Sequence, residues 1–181
     1  MVLERMNAPM IRRTLMLLAL ALLPAACGGS DATESADSSK TTDAVGIPES
    51  YWSEADLPGA MEVGAARKDA KDGDEVVLVG RVKDFVDGRA VFTLIDVALA
   101  PCNDNPEDVC PTPWDYCCIE SNVQAENTVT VEVLGDDKRP LATAFKGFHG
   151  LDHLDTVTVR GTPTRDASGN VTLALASLHR R

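Results

Sequence analysis

From residue 76 onwards, apolar and polar positions alternate along the chain, and runs of turn formers interrupt the alternation. Val76 to Lys83 (VVLVGRVK) keeps a period of two around Gly80, a residue that marks a bulge or a tight bend. Asp87-Gly88 signals a hairpin, and Arg89 to Val97 (RAVFTLIDV) follows as a second strand. Thr128 to Leu134 (TVTVEVL) alternates cleanly and gives a third. Thr156 to Gly161 and Val171 to Leu178 read as the fourth and fifth, joined across Arg165 to Asn170, a stretch rich in turn residues. Two stretches break the strand pattern. Pro140 opens a short helical piece, LATAFKG over 141–147, that stops at Gly147. Upstream, Pro58 followed by Ala65 to Ala70 predicts a turn or two of helix, weakened by Gly59 and Gly64.

Three strands, a short helix and two strands is the element order of the OB-fold, a mainly β, five-stranded Greek-key barrel. The expected organisation is an N-terminal extension over 51–72 and a barrel domain over 73–181, with an insertion at 98–127 between strands two and three. An insertion of that length is far longer than a hairpin needs, and such loops are usually functional or cross-linked. It holds Cys102, Cys110, Cys117 and Cys118, spaced C-x7-C-x6-CC.

The chain ahead of the extension has a different character. Residues 10 to 27 (MIRRTLMLLALALLPAAC) carry the basic pair Arg12 and Arg13, an apolar run from Leu15 to Leu23, and small residues at Ala25 and Ala26. That pattern is an export signal over 1–26, with Met1, Met6 and Met10 as candidate starts, and its apolar run is short for a bilayer span. A cysteine directly after the cleavage site resembles the bacterial lipoprotein signal. The resemblance implies that Cys27 receives the lipid, palmitate among its acyl groups, and anchors the mature chain to the membrane; Gly28 after it is similar to lipoproteins forwarded to an outer membrane. Residues 27–50 follow as a tether of Ser, Thr, Asp and Gly with almost nothing to bury.

Composition narrows the partners. Aromatics make up 4%, and 17 Lys+Arg against 28 Asp+Glu give a net charge of −11. Removing the signal takes away Arg5, Arg12 and Arg13 against Glu4, which leaves −13. Nucleic-acid binding rests on Lys and Arg neutralising phosphates. From Asp72 to Arg181 there are 10 basic residues against 18 acidic ones, and Phe92 on strand two reads as core, so no nucleic-acid partner is expected. Trp52 is expected to anchor the extension onto the domain. No GxSxG, HExxH or Gly-rich phosphate loop is present, and no catalytic residue is proposed.

Two accounts of the cysteines compete. In an oxidising envelope they form two structural disulfides of unassigned pairing, and the domain is a non-catalytic binding or interaction module. The adjacent Cys117 and Cys118 point apart in an extended chain, which favours distant partners over a vicinal bridge. In the other account the thiolates bind Zn or Cu, or act as a thiol-redox pair. Chain direction puts the insertion and the start of strand four at one pole, so His149 and His153 are candidate metal ligands in that account. Trp114, Asp115 and Tyr116 are candidate contacts for a small ligand or an envelope protein, besides packing the loop onto the barrel. Asn103, Asp104, Asn105, Glu107 and Asp108 are better explained by turn chemistry than by Ca²⁺ binding, since the EF-hand order is absent and Pro106 interrupts the run.

The runs GDEVVLVGRVKDFVDGRAVFTLID, PCNDNPEDVCPTPWDYCC and TVTVRGTPTRDASGNVTLAL together resemble a group of uncharacterised bacterial lipoproteins with an OB-fold-like domain and a four-cysteine loop. The similarity covers about residues 63 to 181 and implies the barrel and the envelope address, with no activity attached. In cells, a palmitate analogue is expected to label the chain and to leave Cys27→Ala unlabelled, and inhibiting lipoprotein signal peptidase should accumulate the uncleaved precursor. Label persisting on Cys27→Ala, or an unchanged mature form under inhibition, overturns the anchor.

Overall fold

The computed structural model describes residues 46–181. The export signal, Cys27 and most of the tether lie outside the described residues. The elements are β1 (Met61–Glu62), α1 (Val63–Asp69), β2 (Val76–Phe85), β3 (Val91–Ile95), α2 (Ser121–Glu126), β4 (Thr128–Glu132), β5 (Thr156–Arg165) and β6 (Val171–Arg180), with 3-10 turns at Glu49–Tyr51, Cys102–Asp104 and Phe148–Gly150.

β2 to β6 close on themselves in the order β2-β3-β4-β6-β5-β2. Every pair in the ring is antiparallel except β4 with β6, where Thr130 faces Thr172 and Glu132 faces Ala174. This is the closed five-stranded OB-like barrel that the element order predicts. Closure requires β2 to serve both halves. Val76 to Arg81 pair with β5, and Arg81 to Phe85 pair with β3, with a bulge between Val82 and Asp84. The short β1 adds in parallel along the stretch of β2 that β3 leaves free, pairing Met61 with Leu78.

Period-two alternation becomes an inside and an outside. On β4, Val129 and Val131 are buried while Thr128, Thr130 and Glu132 are half-buried on the other face. Phe92 is buried in the core as expected, in edge-to-face contact with Phe145 at 4.7 Å. Burying such a side chain is worth about 1.5–3 kcal/mol.

Four features differ from the sequence reading, the first being the two-residue strand β1 in the extension, where only a short helix is expected. The helical piece expected at 141–147 is shifted: the short helix between the third and fourth barrel strands is the 3-10 turn Phe148–Gly150. Its backbone is already committed to the sheet, because Leu141 N–H donates to the Val133 carbonyl and the Leu141 carbonyl accepts from Ala90. Pairing with β4's continuation thus overrides local helix propensity. The folded part also begins earlier than Tyr51, within the stretch read as tether. Ile47 is buried in the core and Glu49 accepts a hydrogen bond from His149 Nε2 at 2.6 Å. Finally, α2 was not predicted; it is a six-residue helix that closes the insertion.

The extension is keyed in place. Gly64 opens α1 where its N–H donates to the buried Asp96 carboxylate at 2.8 Å, and Asp96 Oδ1 accepts from Ala98 N–H at 2.9 Å. One side chain therefore fixes both α1 and the first turn of the insertion. Trp52 anchors the extension as expected, lying flat on His149 at 4.1 Å while Ser53 N–H donates to the Leu178 carbonyl. Among the described residues no helix is long and apolar enough to cross a membrane.

A Cβ on Gly80 would lie 2.5 Å from Leu94 Cγ and 2.8 Å from the Ile95 carbonyl oxygen. Gly80→Ala is accordingly expected to destabilise the barrel by about 1–3 kcal/mol in urea unfolding, the cost of overpacking a filled core. Unchanged stability would show that β2 and β3 separate there without strain.

Candidate functional site

The insertion leaves β3 at Asp96 and returns through α2 to β4. Its two arms are zipped by backbone hydrogen bonds, from Cys102 N–H to the Asp115 carbonyl at 2.8 Å and from Asn103 N–H to the Pro113 carbonyl at 2.7 Å. Turn chemistry shapes the segment between. The Asn105 side chain accepts from Glu107 N–H and the Asp108 side chain from Cys110 N–H, at 3.1 and 2.8 Å. At the far end the Gln124 amide donates to the carbonyls of Tyr116 and Ile119, so α2 holds the last turn of the loop.

These bonds bring the cysteines together. Cys117 Sγ lies 3.4 Å from Cys102 Sγ and 3.8 Å from Cys110 Sγ. The sulfurs of Cys102, Cys117 and Cys118 all lie within 4.8 Å of one another, as do those of Cys102 and Cys110 with an Asp108 carboxylate oxygen. Of the four loop cysteines, Cys102 is buried, Cys110 half-buried, and Cys117 and Cys118 exposed.

Their protonation follows from these contacts. Hydrogen bonding with the Thr112 hydroxyl lowers the Cys110 thiol pKa. Cys117 is pushed up strongly, first by its contact with Cys102 and then by Cys110, because ionising it among other sulfurs is unfavourable. Cys118 is raised by donating to Asp108 Oδ2 at 3.4 Å, a bond that only the protonated thiol can make. Asp108 is correspondingly lowered, chiefly by the Cys110 N–H.

The other candidate residues divide. Neither His149 nor His153 joins a sulfur group among the described residues. The His149 ring is occupied by Glu49 and Trp52. His153 shares a hydrogen through Nδ1 with the Lys83 carbonyl at 2.7 Å and stacks against Trp114 at 5.0 Å. The shared pole read from chain direction is present, since Arg81 faces both Ile95 and Thr156. It brings His153 to Trp114 rather than to sulfur. Trp114 is half-buried and lines a cavity of about 280 Å³ with Lys146, Asp152 and His153. Asp115 is structural: its carboxylate accepts from Tyr116 N–H at 2.7 Å. Tyr116 is fully buried, so it packs the loop onto the barrel, at the wall of a cavity that Cys102 and Cys118 also line.

Two partners of the thiols, Asp108 and Thr112, and one anchor of the loop, Arg81, do not stand out from the sequence in these roles. Asp108 was considered only as a calcium oxygen, yet it faces two thiols; its place two residues before Cys110 is the signal, since an Asp side chain readily takes the N–H two residues on. Thr112 stands two residues after the same cysteine, with its hydroxyl 3.4 Å from Cys110 Sγ. Arg81 reaches from the barrel into the loop, donating to the Leu99 carbonyl at 3.2 Å and pairing with Asp104 at 3.5 Å.

No protein-family model matches the chain, and no curated protein matches it. Solved structures similar to it include the following two. "OBody AM1L10 bound to hen egg-white lysozyme" is 18% identical over 70% of this chain and 98% of that one, with a TM-score of 0.39. The hypothetical protein ygiW from E. coli is 13% identical over 72% and 95%, with a TM-score of 0.37.

Among the described residues the Tyr116 hydroxyl is a buried polar atom with no hydrogen-bond partner. Burial raises its pKa, against the pull of the nearby Arg81 guanidinium. Removing an unpaired buried hydroxyl is near-neutral or favourable. Tyr116→Phe is therefore expected to leave stability unchanged or to raise it by up to about 1 kcal/mol, whereas Tyr116→Ala should cost about 3–5 kcal/mol. Chemical denaturation measures both, and a clear loss in the Phe variant would mean that the hydroxyl is paired.

Proposed function

We propose that this chain is an exported, lipid-anchored, non-catalytic binding module whose ligand is one soft metal ion, Zn²⁺ or Cu⁺, held by Cys102, Cys110, Cys117 and Cys118 at the pole of an OB-like barrel. The envelope address rests on the signal and Cys27. The ligand rests on one observation, the position of Cys117 Sγ at 3.4 and 3.8 Å from two other sulfurs.

Those separations suit an ion better than covalent bonds. Sulfurs about 2.3 Å from a tetrahedral Zn²⁺ stand about 3.8 Å from one another, whereas a disulfide draws two sulfurs to about 2.05 Å. A pair of disulfides also needs each sulfur to have one partner, while Cys117 is shared between two. Thiolate donors are soft and select Zn²⁺ or Cu⁺ over Ca²⁺ or Mg²⁺. Asp108 serves as the outer partner that orients Cys110 through its N–H. The histidines are left out of this donor set because their rings are engaged elsewhere. A disulfide between Cys102 and Cys117, the closest sulfurs, is the competing reading and would support the same loop as a staple.

Intact mass of the purified full chain under native and denaturing conditions, with and without alkylation, separates the two. One added ion per chain in the native spectrum is expected, with all four loop thiols alkylated once denatured. Cys117→Ser should weaken binding more than about 100-fold, beyond what loss of an outer partner costs, while His149→Ala and His153→Ala leave it unchanged. Protection of two or all four loop cysteines from alkylation, with the mass deficit of one or two disulfides, overturns the metal reading.

A further inference from the structure

The four sulfurs are not equally held, and that inequality says what the centre does with its ion. Cys102 is buried, its N–H donates to the Asp115 carbonyl, and its carbonyl accepts from Asn105 N–H. Cys110 is tied through its N–H to Asp108. Cys117 and Cys118 are both exposed, and among the described residues neither has a backbone hydrogen bond to another part of the fold. They occupy the middle of a turn that Tyr116 and Ile119 close over them, by a bond from Ile119 N–H to the Tyr116 carbonyl at 2.9 Å. Two donors are thus fixed in the fold, and two can swing away without breaking any of its backbone bonds. Space is available on both flanks: a cavity of about 230 Å³ opens beside Cys102 and Cys110, and one of about 270 Å³ beside Cys102 and Cys118.

A centre that only staples a loop is closed by four rigid donors. Here half the donor set is open to solvent and, among the described residues, carries no backbone bond of its own. We infer that the centre is a transfer site, which passes its ion to an acceptor protein presenting a pair of cysteine thiols, by ligand exchange through Cys117 and Cys118. This rests on the proposed metal reading. An acceptor thiolate bonds to the ion as the Cys118–metal bond breaks, and the proton that the acceptor thiol gives up passes to the Cys118 thiolate. The released S–H is received by Asp108 Oδ2, its partner at 3.4 Å in the structure. Cys117 exchanges next in the same way with the acceptor's second thiol, and Cys110 and Cys102 release last, each thiolate taking a proton from solvent while water fills any position the ion still requires. No electron changes hands, and the ion keeps its oxidation state.

The test uses the full chain loaded with Cd²⁺, mixed in stopped flow with a Cys-Gly-Gly-Cys peptide whose fluorophore reports ion capture. The transfer rate should rise in proportion to peptide concentration. Cys118→Ser should still bind one ion and transfer it roughly tenfold faster, since one position is already open and each decade of rate corresponds to ~1.4 kcal/mol of barrier. Cys102→Ser, which alters a fixed donor, should not reproduce that acceleration at equal occupancy. A rate independent of peptide concentration would mean that the ion leaves before the acceptor arrives, and it overturns the transfer mechanism while leaving metal binding intact. Cys118→Ser transferring no faster than the parent also overturns it. Failure of the chain to take up Cd²⁺ at all overturns the metal reading and the inference together.

Discussion

The barrel depends on one close approach, that of the Gly80 backbone to Leu94 and Ile95. Because no side chain stands there, β2 can leave β5 and join β3 within a single strand, with Arg81 pairing to both neighbours at the crossing point. Everything at the cysteine pole follows from that crossing. It sets where β3 ends, where β5 begins and where the guanidinium of Arg81 emerges to meet Leu99 and Asp104. The insertion is therefore not a free loop hung on a barrel. It is gripped at its start by Arg81 and Asp96, at its middle by the Cys102–Asp115 zip, and at its end by α2.

A small domain gains little from adding a long acidic loop unless something compensates the entropy of ordering it, which runs to about 1–2 kcal/mol per residue. Pro101, Cys102 and Tyr116 are the insertion's buried residues beside the barrel. The thiol cluster stands next to them, so whatever joins the sulfurs acts where the loop meets the core. The contacts between thiols are weak in themselves, since S–H is a poor donor and sulfur a poor acceptor. Their mutual effect is mainly to make deprotonation of Cys117 unfavourable. A cation among them reverses that balance, because the charge that neighbouring sulfurs disfavour is the charge the ion attracts.

The barrel was legible in the sequence because its signals are local and redundant. TVTVEVL shows strand periodicity throughout and VTLALASL shows it as far as Leu175, and Asp87-Gly88 fixes its own hairpin. The helical reading of LATAFKG failed where propensity met a tertiary claim on the same backbone, the bonds of Leu141 to Val133 and Ala90. Ile47 was missed for a related reason. A lone apolar residue at the end of a polar tract carries no periodicity, and its burial is decided by the Glu49–His149 and Trp52–His149 contacts, which join positions about a hundred residues apart. At the site, chain direction located the pole correctly but not which side chains meet there. That depends on backbone bonds inside the loop, from Cys102 to Asp115 and from Asn103 to Pro113, and no spacing rule encodes them.

The same loop bonds decide what kind of centre the sulfurs make. Asp108 and Asp115 each hold a nearby N–H, so the segments around Cys110 and ahead of Tyr116 are shaped by side chains of the loop itself. Cys117 and Cys118 follow directly after those constraints end, in a turn whose two ends, Tyr116 and Ile119, are bonded to each other and to the Gln124 amide, while among the described residues neither cysteine carries a backbone bond of its own. Adjacent cysteines in an extended chain would diverge; in this turn both sulfurs come within 4.8 Å of Cys102. Convergence therefore depends on a turn whose tip is exposed, on the solvent side of a donor that is buried and doubly bonded through its backbone. A fixed inner thiol paired with a yielding outer pair is the arrangement that lets a centre bind firmly and still exchange, and both halves arise from where the loop's backbone bonds stop.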